Sequence, residues 1–316
     1  LTSLTTGDSN TAVGINAGAA ITTAIGNTFI GSQAGDANTT ASHNTAVGFS
    51  ALGANTTGTN NVAVGKDALD ACTTGSQNTA VGGGALTTNT TGANNTAFGY
   101  LAGASATTGQ ENTFIGKRAG YLNSSGSANT YIGLDAGYTN LTSGYNVAIG
   151  TNALKLNVTQ GNIAVGSYVL QSSTSGTGNI GIGSYDANGT PGALFANTTG
   201  SHNVAMGVLA LGANTTGYQN VAIGYQALAS NTTGLNSTAI GLNAGNAAVS
   251  GNGNIFVGKD SGITGSPGGS IAGSTGNTLV VGDENISACH IQTDWTVASD
   301  QRDKTDFTAL DLGLDF

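Results

Sequence analysis

Residues 61–82 read Asn61-Val62-Ala63-Val64-Gly65-Lys66-Asp67-Ala68-Leu69-Asp70-Ala71-Cys72-Thr73-Thr74-Gly75-Ser76-Gln77-Asn78-Thr79-Ala80-Val81-Gly82. The phrase that opens this stretch returns after 17 residues. Its glycine recurs at Gly14, Gly31, Gly48, Gly65, Gly82, Gly99, Gly116, Gly133 and Gly150, each 17 residues from the last. The series goes on at Gly166, Gly183, Gly207, Gly224, Gly241, Gly258 and Gly282, at intervals of 16, 17, 24, 17, 17, 17 and 24. Self-similarity at a fixed period marks a stacked repeat architecture. Both long steps equal one period plus seven residues, and their Gly/Pro-rich inserts around Pro191 and Pro267 are expected to loop out of a single rung.

A typical unit is N-T-A-V-G-x-x-A-L-x-x-N-T-T-G-x-x, with the first Asn as column 1. Column 4 is always apolar, from Val13 and Ile30 to Val281, and column 2 is Thr, Val, Ile or Leu. Columns 2 and 4 therefore share one face of a short β-strand, and column 3 faces the other way. A second, weaker strand is expected around columns 8 and 9, usually Ala-Leu or Ala-Gly, and N-T-T-G supplies turn chemistry. So much Gly and Thr disfavours a helix, and helical repeats run longer, at roughly 33 residues or more. The pattern predicts an all-β solenoid or β-roll of about sixteen 17-residue rungs. At ~4.8 Å per rung it would extend roughly 75 Å. Repeated Asn in column 1 predicts a ladder of side-chain hydrogen bonds along the stack.

Two columns exchange volume. Column 3 is aromatic at Phe29, Phe114, Tyr131 and Phe256, and in those four units column 9 is Gly35, Gly120, Gly137 and Gly262. Elsewhere column 9 is often Leu, as at Leu52, Leu69 and Leu228. Close packing demands such an exchange if the two columns meet. Three further column-9 glycines lack an aromatic partner in their own unit, so the rule runs one way.

Composition narrows the function classes. Charged residues make up 7%, against ~25% in ordinary soluble domains. Hydrophobic residues make up 38%, too many for a disordered chain of scarce charge. Residues 1–282 carry 8 acids and 5 bases, and residues 283–316 carry 8 acids and 2 bases. A nearly neutral body offers no basic stripe for phosphates, so nucleic acid is not an expected partner. No apolar run reaches the ~18 residues of a membrane span. Acids are sparse in the repeats and never paired at a plausible cleft, so no enzyme, cofactor or metal is expected.

Columns 3 and 8 are mostly Ala, so one chain buries little apolar area per rung. Association would bury the second apolar face. The expectation is a homo-oligomer, most simply a trimer.

The N-T-A-V-G and N-V-A-I-G units, over roughly residues 10–282, resemble the head repeats of trimeric autotransporter adhesins and related repeats of bacteriophage tail fibres. Those adhesin heads are trimeric left-handed β-rolls, with a unit typically shorter than this one. Ser299-Asp300-Gln301-Arg302-Asp303-Lys304, followed by Asp311-Leu312-Gly313-Leu314-Asp315-Phe316, resembles the opening of the intramolecular chaperone domain of endosialidase-type phage tailspikes. That resemblance implies trimerisation followed by self-cleavage at Ala298–Ser299, with Ser299 as nucleophile and Lys304 as its activator. Only 18 residues of such a domain are present, so cleavage is expected only with the full domain. The organisation expected is a rod over residues 1–283, a connector or cap over 284–298 and the start of a chaperone domain over 299–316.

Several residues carry a sharper and a blander reading. Asn38, Asn55, Asn89, Asn197, Asn214 and Asn231 each open Asn-Thr-Thr, a formal glycosylation sequon that repeated turns explain as well. His43 and His202 are expected as solvated turn residues rather than metal ligands. Lys117-Arg118 reads as a solvated corner. Cys72 takes the place of the usual column-12 Asn, and Cys289 lies beyond the last rung. They are too far apart to bridge within a chain, which leaves interchain pairing near a symmetry axis as the alternative to free thiols. Trp295, beside Asp294, is expected to pack in a C-terminal cap rather than stack on a ligand.

The function expected is a structural and adhesive fibre segment: a phage tail-fibre shaft, in the virion tail, that supports attachment to a host surface receptor such as a glycan. The alternatives are a bacterial surface adhesin or extracellular filament subunit, and an ice-binding solenoid. The last needs a regular Thr file on a flat exposed face, whereas the Thr of column 2 alternates with Val and Ile, which points to burial.

Overall fold

A computed structural model of the chain describes residues 3–184, 189–263, 271, 273–283 and 285–286. Contacts divide the chain into one unit, Leu1–Glu284, and a second, Asn285–Phe316. The first is a β-solenoid. Its sixteen three-residue strands run from β1 (Thr11–Val13) to β16 (Leu279–Val281) and form one parallel sheet in strict chain order. Among the described residues there is no helix. Each strand occupies columns 2 to 4 and pairs with its neighbours column for column, as Thr45 does with Val62 and Val47 with Val64. The inserts leave that register intact. Ile180 still pairs with Val204 across the first, and Ile255 with Leu279 across the second. Pro267 lies outside the described residues.

Strand alternation decides what is inside. The middle residue of every strand from the second onward is buried, while its two neighbours face outward. The core behind the sheet is completed by the Ala of column 8, the Leu of column 9 and the Asn of columns 1 and 12. Column 2 is therefore half-exposed or exposed within a single chain, not buried as its apolar alternation suggests.

The second strand expected at columns 8 and 9 does not form. Columns 7 and 9 both adopt left-handed backbone, with φ of 55° at Leu52 and 51° at Leu69. Extended pairing is closed to such a backbone. Successive rungs nevertheless stay bonded there, with Leu52 N–H donating to the Ala68 carbonyl and Ala54 N–H to the Asp70 carbonyl. A leucine in this region costs on the order of 1 kcal/mol, and full burial of the side chain, worth ~1.5–3 kcal/mol, offsets it.

The Asn ladder is present. Asn61 N–H donates to Asn44 Oδ1 at 2.9 Å, Asn78 N–H to Asn61 Oδ1 at 3.0 Å, and the row runs on through Asn220. Ser237 continues it, and Thr278 N–H closes the described row on Asn254 Oδ1. The amide group of most of these Asn also donates to the column-15 carbonyl of its own rung, as from Asn61 to Gly75. From the other side, Asn55 of column 12 reaches the Gly58 carbonyl and accepts from Gly58 N–H. Threonine hydroxyls of column 13 add a third row, for example Thr56 onto the Thr73 carbonyl.

The volume exchange proves to be two-way. A β-carbon on Gly35 would strike the Phe29 ring, one on Gly120 the Phe114 ring and one on Gly137 the Tyr131 ring. The glycines without an aromatic in their own rung precede a rung that has one. Gly103 faces Phe114 and Gly245 faces Phe256, so each ring spans two rungs. Gly18 stands in the same relation to Phe29 in sequence. Val169 in column 8 is matched in the same way by Gly181 in column 3 of the next rung. Tyr131 stacks on Phe114 with centroids 5.7 Å apart and donates its hydroxyl to Asn129 Oδ1. Beside two of the three column-3 phenylalanines, Phe29 and Phe114, the column-12 amides of Asn38 and Asn123 have no hydrogen-bond partner.

Two stability measurements test this packing. Asn95→Ala strips the acceptor from Asn112 N–H and a donor from the Gly109 carbonyl, and should cost about 2 kcal/mol or more in denaturant unfolding. Gly120→Leu should cost roughly 1–3 kcal/mol by overpacking. Adding Phe114→Ala should recover part of that loss. No recovery in the double variant would mean that backbone freedom, not the ring, requires the glycine.

Candidate functional site

The outward face of the sheet carries a continuous apolar file. Column 4 presents Val, Ile, Met or Phe in all sixteen rungs without one polar interruption. Val13 and Phe98 are 58% and 57% exposed, and Ile223 and Ile240 are 37% and 44% exposed. Column 2 beside it adds Val62, Ile255 and Leu279. Fifteen strand spacings give the file a length of about 70 Å, and a width near 10 Å gives roughly 700 Å². Monomeric proteins rarely expose more than a few hundred Å² of contiguous apolar surface.

Beyond the strand ends, columns 6 and 7 carry about half of the charges of the repeats. Arg118 forms a two-pronged ion pair with Asp135 of the next rung, Nε to Oδ1 at 2.8 Å and Nη2 to Oδ2 at 2.7 Å. Its guanidinium also lies 5.4 Å from the centroid of the Tyr138 ring, which stacks on Tyr121 at 5.2 Å. Lys155 approaches Asp135 from the following rung. Arg118 is thus tied across rungs rather than free at a corner, an arrangement hidden in sequence until column 7 is aligned rung by rung. Three rungs earlier, Lys66, Asp67, Gly83, Gly84, Tyr100 and Leu101 line a half-open recess of about 270 Å³.

The residues flagged by the sequence separate clearly. The sequon asparagines Asn38, Asn55, Asn89, Asn197, Asn214 and Asn231 are all fully buried in column 12. Glycan transfer cannot reach them in the folded chain, and the turn reading holds. His43 and His202 are exposed. Their rings lie against Gly26 and Gly178, each in the preceding rung. Among the described residues no cluster of three or more His, Cys, Asp or Glu is placed to hold a metal, and no helix is long and apolar enough to cross a membrane. Ser299, Lys304, Asp294, Trp295 and Cys289 lie outside the described residues.

Cys72 corrects one expectation. It is fully buried inside its own chain, with Sγ 3.4 Å from the Gly75 carbonyl, so it cannot meet a partner chain's cysteine. Burial pushes its thiol up to about 11. The folded chain therefore holds this proton more tightly than the unfolded one. The stability linked to it is complete below the unfolded value near 9 and is lost as pH rises from there towards 11. The chain matches no protein-family model and no curated protein. In a Cys289→Ser background, Cys72 should resist a thiol reagent at pH ~8.5 in native buffer and react fully in denaturant. Rapid native labelling would contradict the burial.

Proposed function

We propose that the chain is a shaft segment of a homo-oligomeric fibre, most simply a trimer, whose copies meet along the outward sheet face. The observation that carries this reading is the unbroken apolar file of column 4 on that exposed face. Its area of roughly 700 Å² approaches the ~800 Å² per partner of a stable protein interface. A thin Ala-rich core supports the same conclusion, because an assembled rod buries area that one chain leaves in water. In this reading the fibre belongs to a virion tail and supports attachment to a host receptor, on the strength of the resemblance at Ser299–Lys304. A bacterial surface adhesin would use the same oligomeric shaft with a different C-terminal neighbour.

An ice-binding surface fits the face less well. The Thr file of column 2 breaks at Val62 and, from Val147 onward, keeps only Thr238. A hydroxyl lattice needs regularity along the whole face. The apolar file has that regularity and the threonine file lacks it.

Native mass measurement of the full chain should give a trimer. The pair Ile223→Lys and Ile240→Lys should shift it towards monomer while the β-rich circular dichroism stays. A stable wild-type monomer at micromolar concentration would sink the proposal.

A further inference from the structure

The stack is interrupted on its surface at one rung. Among the rungs with both positions described, columns 6 and 7 are glycine together only at Gly83-Gly84. The rung before carries Lys66-Asp67 and the rung after carries Tyr100-Leu101. Missing side chains between two furnished rungs leave the recess of about 270 Å³. Its flanking rungs are two spacings apart, about 9.6 Å. Tyr100 and Leu101 of the rung after lean into that space from one side and leave a half-open recess, roomy enough for a single sugar-sized ring.

The walls differ in chemistry. Tyr100 is 57% exposed and its ring edge lies over Gly83, presenting an aromatic surface at the mouth. Leu101 leans over Gly84 and makes the apolar floor. On the opposite side Lys66 Nζ and Asp67 Oδ2 stand 3.3 Å apart, a donor and an acceptor side by side. That pair is exposed and contributes little to stability. The geometry points to a binding site for one pyranose ring of a neutral saccharide. A pyranose has an apolar C–H face that rests on an aromatic ring and a rim of hydroxyls that each donate and accept. Lys66 would donate to one rim hydroxyl, and Asp67 would accept from its neighbour. A phosphate or carboxylate ligand fits less well, because Asp67 opposes any second negative charge. The site belongs to a single chain, so it does not depend on the fibre reading.

The test is saturation-transfer NMR on the full chain with the methyl pyranosides of glucose, galactose and mannose at millimolar concentration. Transfer to at least one is expected. It should fall at least tenfold in Gly83→Leu, which fills the recess at a position whose added β-carbon meets Tyr100 at an ordinary 3.5 Å. It should fall equally in Tyr100→Ala and persist in Tyr225→Ala, an exposed column-6 tyrosine with no glycine gap beside it. No transfer from wild type, undiminished transfer in Gly83→Leu, or equal loss in Tyr225→Ala would each overturn the proposal. Native mass of each variant, unchanged from wild type, separates loss of the site from loss of assembly.

Discussion

One contact keeps the solenoid corner tight: from Gly14 to Gly241, a β-carbon on each column-5 glycine would collide with the carbonyl of the next. A β-carbon on Gly48 would lie 2.5 Å from the Gly65 carbonyl oxygen, and one on Gly65 2.7 Å from that of Gly82. The same backbone sits at φ of 138° and 133° at these two positions, a region closed to side-chain-bearing residues. Only glycine lets the corner close tightly enough for strands to pair on one side and asparagines to meet on the other. Rung 9, Asn146 to Gly161, loses one turn residue and two rungs gain seven, yet the column-5 glycine is kept in every case.

Behind that corner the core is narrow and fully used. Alanine, leucine and the asparagine amides fill it, and aromatic rings enter only where glycine has vacated two neighbouring rungs. Hydrogen bonds carry an unusual share of the cohesion. A buried amide that is fully partnered contributes about 1 kcal/mol and is expensive to disrupt. Repetition along the stack turns many modest contributions into a cooperative array.

The period, the strand and the Asn ladder were legible in sequence because each follows from residue type at fixed spacing. The exchange between Phe114 and Gly120 was legible within a rung. Its other half, Phe114 against Gly103, required knowing that a ring overhangs its neighbour. The absence of a strand at columns 8 and 9 has a physical reason that residue type does not carry. Leu52 and Leu69 look like strand residues, and nothing in a leucine announces left-handed backbone. The recess was visible in principle, since Gly83-Gly84 departs from the unit at two adjacent columns. Glycine is so abundant along the chain that the pair does not stand out until columns 6 and 7 are compared across rungs. Ser299 and Lys304 rest on resemblance alone.

The asparagine row also has a direction. Every column-1 side chain offers its oxygen to the N–H of the following rung, never to the preceding one. A finished rung thus presents its successor with a fixed acceptor before that successor has formed. The row therefore gives the stack a polarity: along its length, side-chain oxygens face one end and the backbone N–H groups they receive face the other.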